Sequence, residues 1–60
     1  MRSGFRLNEI VEIARAEGRV TVEDLARRFD VTAQTVRRDL AELDAQGQIE
    51  RGHGGAERLS

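Results

Sequence analysis

Apolar residues recur at spacings of three and four in three stretches of the chain, and the gaps between them hold residues that stop and start helices. In the first stretch Leu7, Ile10, Val11, Ile13 and Ala14 are interleaved with Asn8, Glu9, Glu12 and Arg15, the pattern of an amphipathic helix. It predicts a helix over about residues 4–17, closed by Gly18, which enters a left-handed conformation without steric cost. Phe5 falls off the apolar stripe. It either packs at the helix entry or lies exposed, and the pattern does not choose.

Arg19-Val20-Thr21 is short and contains β-branched residues, which suits a single brief strand. Thr21-Val22-Glu23-Asp24 then has the form of a capping box, with Val20 and Leu25 at the spacing of a hydrophobic staple. A second helix is predicted over about residues 22–29, with Val22, Leu25, Ala26 and Phe29 inward and Glu23, Arg27 and Arg28 outward. Asp30, a residue that tolerates a left-handed turn, should end it. Thr32 has the chemistry of an N-cap, and Val31 with Val36 repeats the staple. The third helix should run over about residues 33–46 and stop at Gly47. On its wheel Val36, Leu40 and Leu43 share one face, Gln34, Arg38 and Ala41 share the opposite one, and Thr35 and Arg37 lie on the flanks. Asp39 falls toward the inner side, about 60° from Val36, and reads as a structural residue orienting a neighbouring Arg.

Two short capped helices joined by so tight a turn cross steeply, which is the helix-turn-helix arrangement. Ala26 is small enough for the third helix to approach. Asp30 stands where many such turns have Gly. Beyond Gly47, the segments 48–51 and 56–59 are short strand candidates about the turn Gly52-His53-Gly54-Gly55. They predict a β-hairpin, or wing, over about residues 48–59. Because a lone hairpin is marginal, Ile49 and Leu59 should pack on the helices, with Val20 as a third strand beside them. The fold class expected is therefore mainly α with a small β-hairpin, a three-helix winged helix-turn-helix occupying residues 1–60 as one domain.

Size and composition narrow the chemistry. A chain of 60 residues buries only about 60% of the surface it exposes when unfolded, so its core is small. There is no Cys and a single His, which removes disulfides and the usual zinc ligand sets. No cofactor, metal or catalytic residue is expected, since the carboxylates fall mostly on outward helix faces, and an enzyme is rejected. No apolar run approaches the length needed to cross a bilayer or form a signal peptide. The expectation is a cytoplasmic protein without membrane contact.

The outer face of the third helix carries the chemistry that reads base edges in a DNA major groove. The formal net charge of -1 counts against a phosphate grip, yet all ten basic residues are Arg, whose planar fork matches phosphate and guanine. What matters is whether the guanidinium groups gather on one side. The candidate DNA-binding residues for a double-stranded partner are Thr32, Gln34, Thr35, Arg37 and Arg38 from the third helix, with Arg51, His53 and Arg58 from the wing. Gln34 can bond adenine, and Thr35 can contact phosphate or a thymine methyl or bond locally. Thr32 starts the helix as its cap and can also donate its hydroxyl to a phosphate, although capping alone is enough to explain it. Arg51 and Arg58 are phosphate partners, and His53 at the turn either reaches phosphate or a minor groove or is simply solvated. Arg2 and Arg6 either touch phosphate or form a solvated end, the second being favoured. The wing glycines let the backbone come close to the duplex and do not form a nucleotide loop, which would open a helix. The competing reading is a winged-helix module that binds protein and not DNA.

The order of elements and the residues Gly18-Arg19-Val20-Thr21-Val22-Glu23-Asp24-Leu25-Ala26, Phe29-Asp30-Val31-Thr32, Thr35-Val36-Arg37-Arg38-Asp39-Leu40 and Arg51-Gly52-His53-Gly54-Gly55-Ala56 resemble the DNA-binding domain of the DeoR family of bacterial transcriptional regulators. The resemblance implies a repressor of sugar or nucleoside metabolism genes. It also implies a homodimer or higher oligomer held by a C-terminal domain that senses a phosphorylated sugar. That domain is not among these residues, so effector binding is not assigned to them.

Overall fold

The computed structural model describes residues 2–59, with side chains described from Gly4 to Leu59; the Arg2 side chain lies outside the described residues. The elements run α1 (Arg2–Glu17), β1 (Arg19–Thr21), α2 (Val22–Phe29), α3 (Ala33–Ala45), β2 (Ile49–Gly52) and β3 (Gly55–Arg58). The three strands form one antiparallel sheet in the order β1-β3-β2. This is a three-helix winged helix-turn-helix fold.

Local chemistry sets the helix ends. Gly18, at φ +86°, closes α1 while its amide donates to the Ala14 carbonyl at 2.7 Å. Asp30 takes the left-handed conformation after α2 (φ 56°, ψ 49°), and the Val31 amide folds back on Ala26 at 3.0 Å. At the end of α3 the amides of Gly47 and Gln48 donate to Asp44 and Leu43, the paired bonds of a Schellman closure, with Gly47 at φ +74°. Thr21 Oγ1 accepts from the Asp24 amide at 3.1 Å, but the Asp24 carboxylate accepts from Arg27 instead of returning the bond, so only half of a capping box is made.

Thr32 caps α3 through the Thr35 amide at 3.2 Å, and the two hydroxyls lie 3.0 Å apart. Thr32→Ala should therefore lower the unfolding free energy by about 1 kcal/mol. The check is the urea midpoint, which Thr32→Ser should leave near its original value.

The staples close on the core, since Val20, Leu25 and Val36 are all buried and Val31 packs against them. One apolar cluster joins every element: Ile10, Val11 and Ala14 from α1, Val20 from β1, Val22 and Leu25 from α2, Val36, Leu40 and Leu43 from α3, Ile49 from β2 and Ala56 from β3. Two expectations need correction. α1 begins two residues before Gly4, and Leu59 stays outside the core, 48% exposed at the rim of a cleft it shares with Val11, Ala14 and Arg15 of α1. Leu59 follows the last paired residue of β3, so no strand neighbour holds it inward. Phe5 is exposed as well, at 68%. Among the described residues no helix is long and apolar enough to cross a membrane.

Candidate nucleic-acid interface

The wing is tied down at its tip. β2 and β3 pair from Ile49↔Arg58 to Gly52↔Gly55, leaving His53 and Gly54 as a two-residue turn in which Gly54 takes φ +75°. The Gly54 carbonyl accepts from the Val22 amide, the first of α2, at 3.0 Å. The His53 carbonyl accepts from the Arg19 guanidinium at 3.2 Å, and the same guanidinium pairs with Glu57 at 3.1 Å. These bonds hold the tip beside the starts of α2 and α3. Arg19 was not a candidate from sequence; its only signal was its place on a strand that borders the hairpin.

Arg37 stands where the wing meets α3. It lines a cleft with Ala33, Glu23, His53 and Gly54, and on its other side a cleft with Asp44, Arg51 and Gly52. Thus three of the candidates, Arg37, Arg51 and His53, converge on the junction between helix and wing. Gln34 and Arg38 occupy the outer ridge of α3 and are exposed, with Ala41 and Ala45 continuing that ridge. Thr32 and Thr35 sit at its first turn, their hydroxyls engaged with one another. Among the described residues Arg37, Arg38 and Arg51 have no intramolecular ion pair, so their forks are available to a ligand.

Carboxylates are present but peripheral. Glu23 and Asp44 each line one of the clefts, and exposed Glu42 lies one turn beyond Arg38 on the flank of the outer face, while the outermost positions Gln34, Arg38, Ala41 and Ala45 carry no carboxylate. A net charge of -1 is compatible with a local cationic strip because charge is distributed unevenly: among the described residues Arg37, Arg38 and Arg51 carry no internal ion pair, while Asp24, Asp39 and Glu57 are paired with Arg27, Arg6 and Arg19.

Four residues sit differently from the sequence expectation. Arg58 is not brought to this surface: it lies opposite Ile49 at the open end of the hairpin, roughly 10 Å of strand from the tip. Its guanidinium donates to the Arg15 carbonyl at 3.0 Å, satisfying the last turn of α1. Arg6 is not a solvated end. It forms a two-pronged pair with Asp39, Nε to Oδ2 at 2.5 Å and NH2 to Oδ1 at 3.3 Å. Asp39 accordingly orients an Arg from a distant helix and not a neighbour, and the hydrogen bond from Arg6 raises that guanidinium's pKa above its ordinary value against the opposing effect of burial. Gly55 is kept bare by β1: a Cβ there would lie 2.0 Å from the Val20 carbonyl oxygen. The close backbone approach at this glycine is to the protein's own strand.

Residues 6–60 match the model of the DeoR-like helix-turn-helix domain. The chain is 46% identical over 56 residues to the glycerol-3-phosphate regulon repressor of Escherichia coli (strain K12), a match covering 93% of this chain and 22% of that repressor. It is 38% identical over 60 residues to the lactose phosphotransferase system repressor of Lactococcus lactis subsp. lactis, covering 100% of this chain and 24% of that protein. A putative galactitol utilization operon repressor of Escherichia coli (strain K12) is 39% identical over 59 residues, covering 98% of this chain and 53% of that protein. The chain thus spans about a fifth to a half of the length of these relatives. No solved structure matches it significantly. With the fold, the capped third helix, the braced wing and these matches all in agreement, the chain belongs to the DeoR-like helix-turn-helix domain family.

Proposed function

We propose that the chain binds double-stranded DNA sequence-specifically as the DNA-binding domain of a transcriptional repressor, with α3 in the major groove and the wing tip on the flanking backbone or minor groove. The observation that carries this is the convergence of Arg37, Arg51 and His53 at the junction of helix and wing, next to the exposed Gln34 and Arg38 of the outer α3 face. An Arg or Gln fork on such a ridge can bond two atoms of one base edge, whereas contacts at the wing fix register on the phosphates. Thr32 and Thr35 belong to the same surface through the first turn of α3. The names of the relatives, repressors of glycerol-3-phosphate, lactose and galactitol systems, support regulation of carbohydrate genes. Oligomerisation and sensing of a phosphorylated sugar belong, on this reading, to segments other than these residues, and the setting is the cytoplasm.

The reading is tested by titrating a fluorescent duplex with the chain at rising salt. Three phosphate contacts, from Arg37, Arg51 and the wing turn, give a slope of about -2.7 in log affinity against log salt. Affinity should then fall about 40-fold between roughly 50 and 200 mM salt. A protein-binding module would show no retention of duplex at low salt, and that result would overturn the proposal.

A further inference from the structure

Asp39 is the buried charged residue of this fold among those described, at 5% exposure, and it sits on α3, next to Arg38 and one turn from Thr35. Its partner Arg6 comes from α1, 33 positions earlier in the chain, and that side chain is itself only 21% exposed. Both carboxylate oxygens are engaged, one by Nε and one by a terminal nitrogen. A buried ion pair is a poor source of net stability, because taking two charges out of water offsets their attraction. Its geometry is another matter. A planar fork on a planar carboxylate is satisfied at one relative orientation, while the apolar contacts of Val36, Leu40 and Leu43 are non-directional.

The surface that would read DNA depends on that orientation. Side chains reach about 5–6 Å from a helix axis, so a rotation of α3 by about 20° moves their ends by about 2 Å. That displacement is enough to lose a hydrogen bond whose useful range is about 2.7–3.2 Å. We propose that Arg6 and Asp39 are positioning residues for sequence recognition: the pair locks α3 in rotation against α1, so that Gln34 and Arg38 meet base edges while neither Arg6 nor Asp39 touches DNA. The proposal rests on the DNA-binding reading above. It separates discrimination, which requires the locked angle, from the phosphate grip of Arg37, Arg51 and the wing turn, which tolerates small rotations.

The test takes a duplex selected from a random pool by the unaltered chain and a scrambled duplex of the same length, and measures affinity for both by fluorescence anisotropy. The variant R6M/D39L replaces the pair with apolar side chains, Leu keeping the branching of the carboxylate and Met the unbranched stem of the Arg, a kind of change that buried pairs often tolerate. It should keep its far-UV circular dichroism and bind the scrambled duplex within about twofold of the original, yet lose at least about tenfold on the selected duplex, the order of one base contact. R6K, which keeps the charge and removes the fork, should lose discrimination in the same direction and covers the case in which the double variant does not fold. An unchanged ratio of the two affinities in a folded variant would overturn the proposal. Failure of the unaltered chain to bind either duplex at low salt would overturn the DNA-binding reading and this one with it, a result the variants cannot mimic.

Discussion

Gly55→Ala is expected to destabilise the chain by about 3 kcal/mol or more, the upper range for forcing an extra group into a packed site. The added Cβ would lie 2.0 Å from the Val20 carbonyl oxygen and 3.0 Å from the Thr21 Cα. Both are backbone atoms of β1, so no side-chain rotation relieves the clash. The strand must move, and β1 is paired with β3 through Val20↔Ala56 and Thr21↔Gly55. A chain of this size is stable by only about 3–9 kcal/mol, so the substitution removes a large part of the margin. In thermal unfolding followed by circular dichroism the midpoint should fall by about 12–24 °C. Gly52 gives the control. It sits directly across the hairpin from Gly55, has nothing within 4 Å of a built Cβ and shows no positive φ, so Gly52→Ala should shift stability by less than about 0.5 kcal/mol. Equal midpoints for the two variants would show that the approach of β1 to Gly55 is not what limits the site.

The same glycine shows where sequence reasoning stops. Helix boundaries were legible because their causes are local: Thr32 reaches an amide three residues on, and Gly18, Asp30 and Gly47 turn the chain at single positions. The wing was legible for a similar reason, since its turn lies between two short strand patterns. Gly55 is different. Its sequence context marks it as a turn residue, whereas its constraint comes from Val20, which approaches only after the sheet assembles. Asp39 lies between these extremes. Its inward place on the α3 wheel announced a carboxylate in need of a partner, but the candidates were all ten Arg residues, and only the packing of α1 on α3 selects Arg6. The place of Arg58 was not legible, because strand register, not mere membership of the hairpin, decides which end of the wing a side chain occupies.

The second large effect concerns the two adjacent arginines of α3, which should fail in different ways. Arg38 projects from the outer ridge, directly away from the face that holds Val36, so on the proposed DNA-binding reading its fork would meet base edges. Arg37 is turned by about 100° toward the wing, where it shares its clefts with Arg51 and His53, and on the same reading it would meet the backbone beside the groove. Arg38→Ala should therefore cost about 1–3 kcal/mol on a selected duplex, with little change on a scrambled one. Arg37→Ala should weaken both duplexes alike and make the salt slope shallower by about 1. Neither change should move the unfolding midpoint by more than about 0.5 kcal/mol in equivalent free energy, since both side chains are exposed and unpaired among the described residues. Anisotropy titrations of the two variants at two salt concentrations decide the matter. If Arg38→Ala weakened both duplexes equally while Arg37→Ala altered their ratio, α3 would have to lie in the groove rotated toward its wing-facing side. The brace from Arg6 would then hold the helix at that other angle.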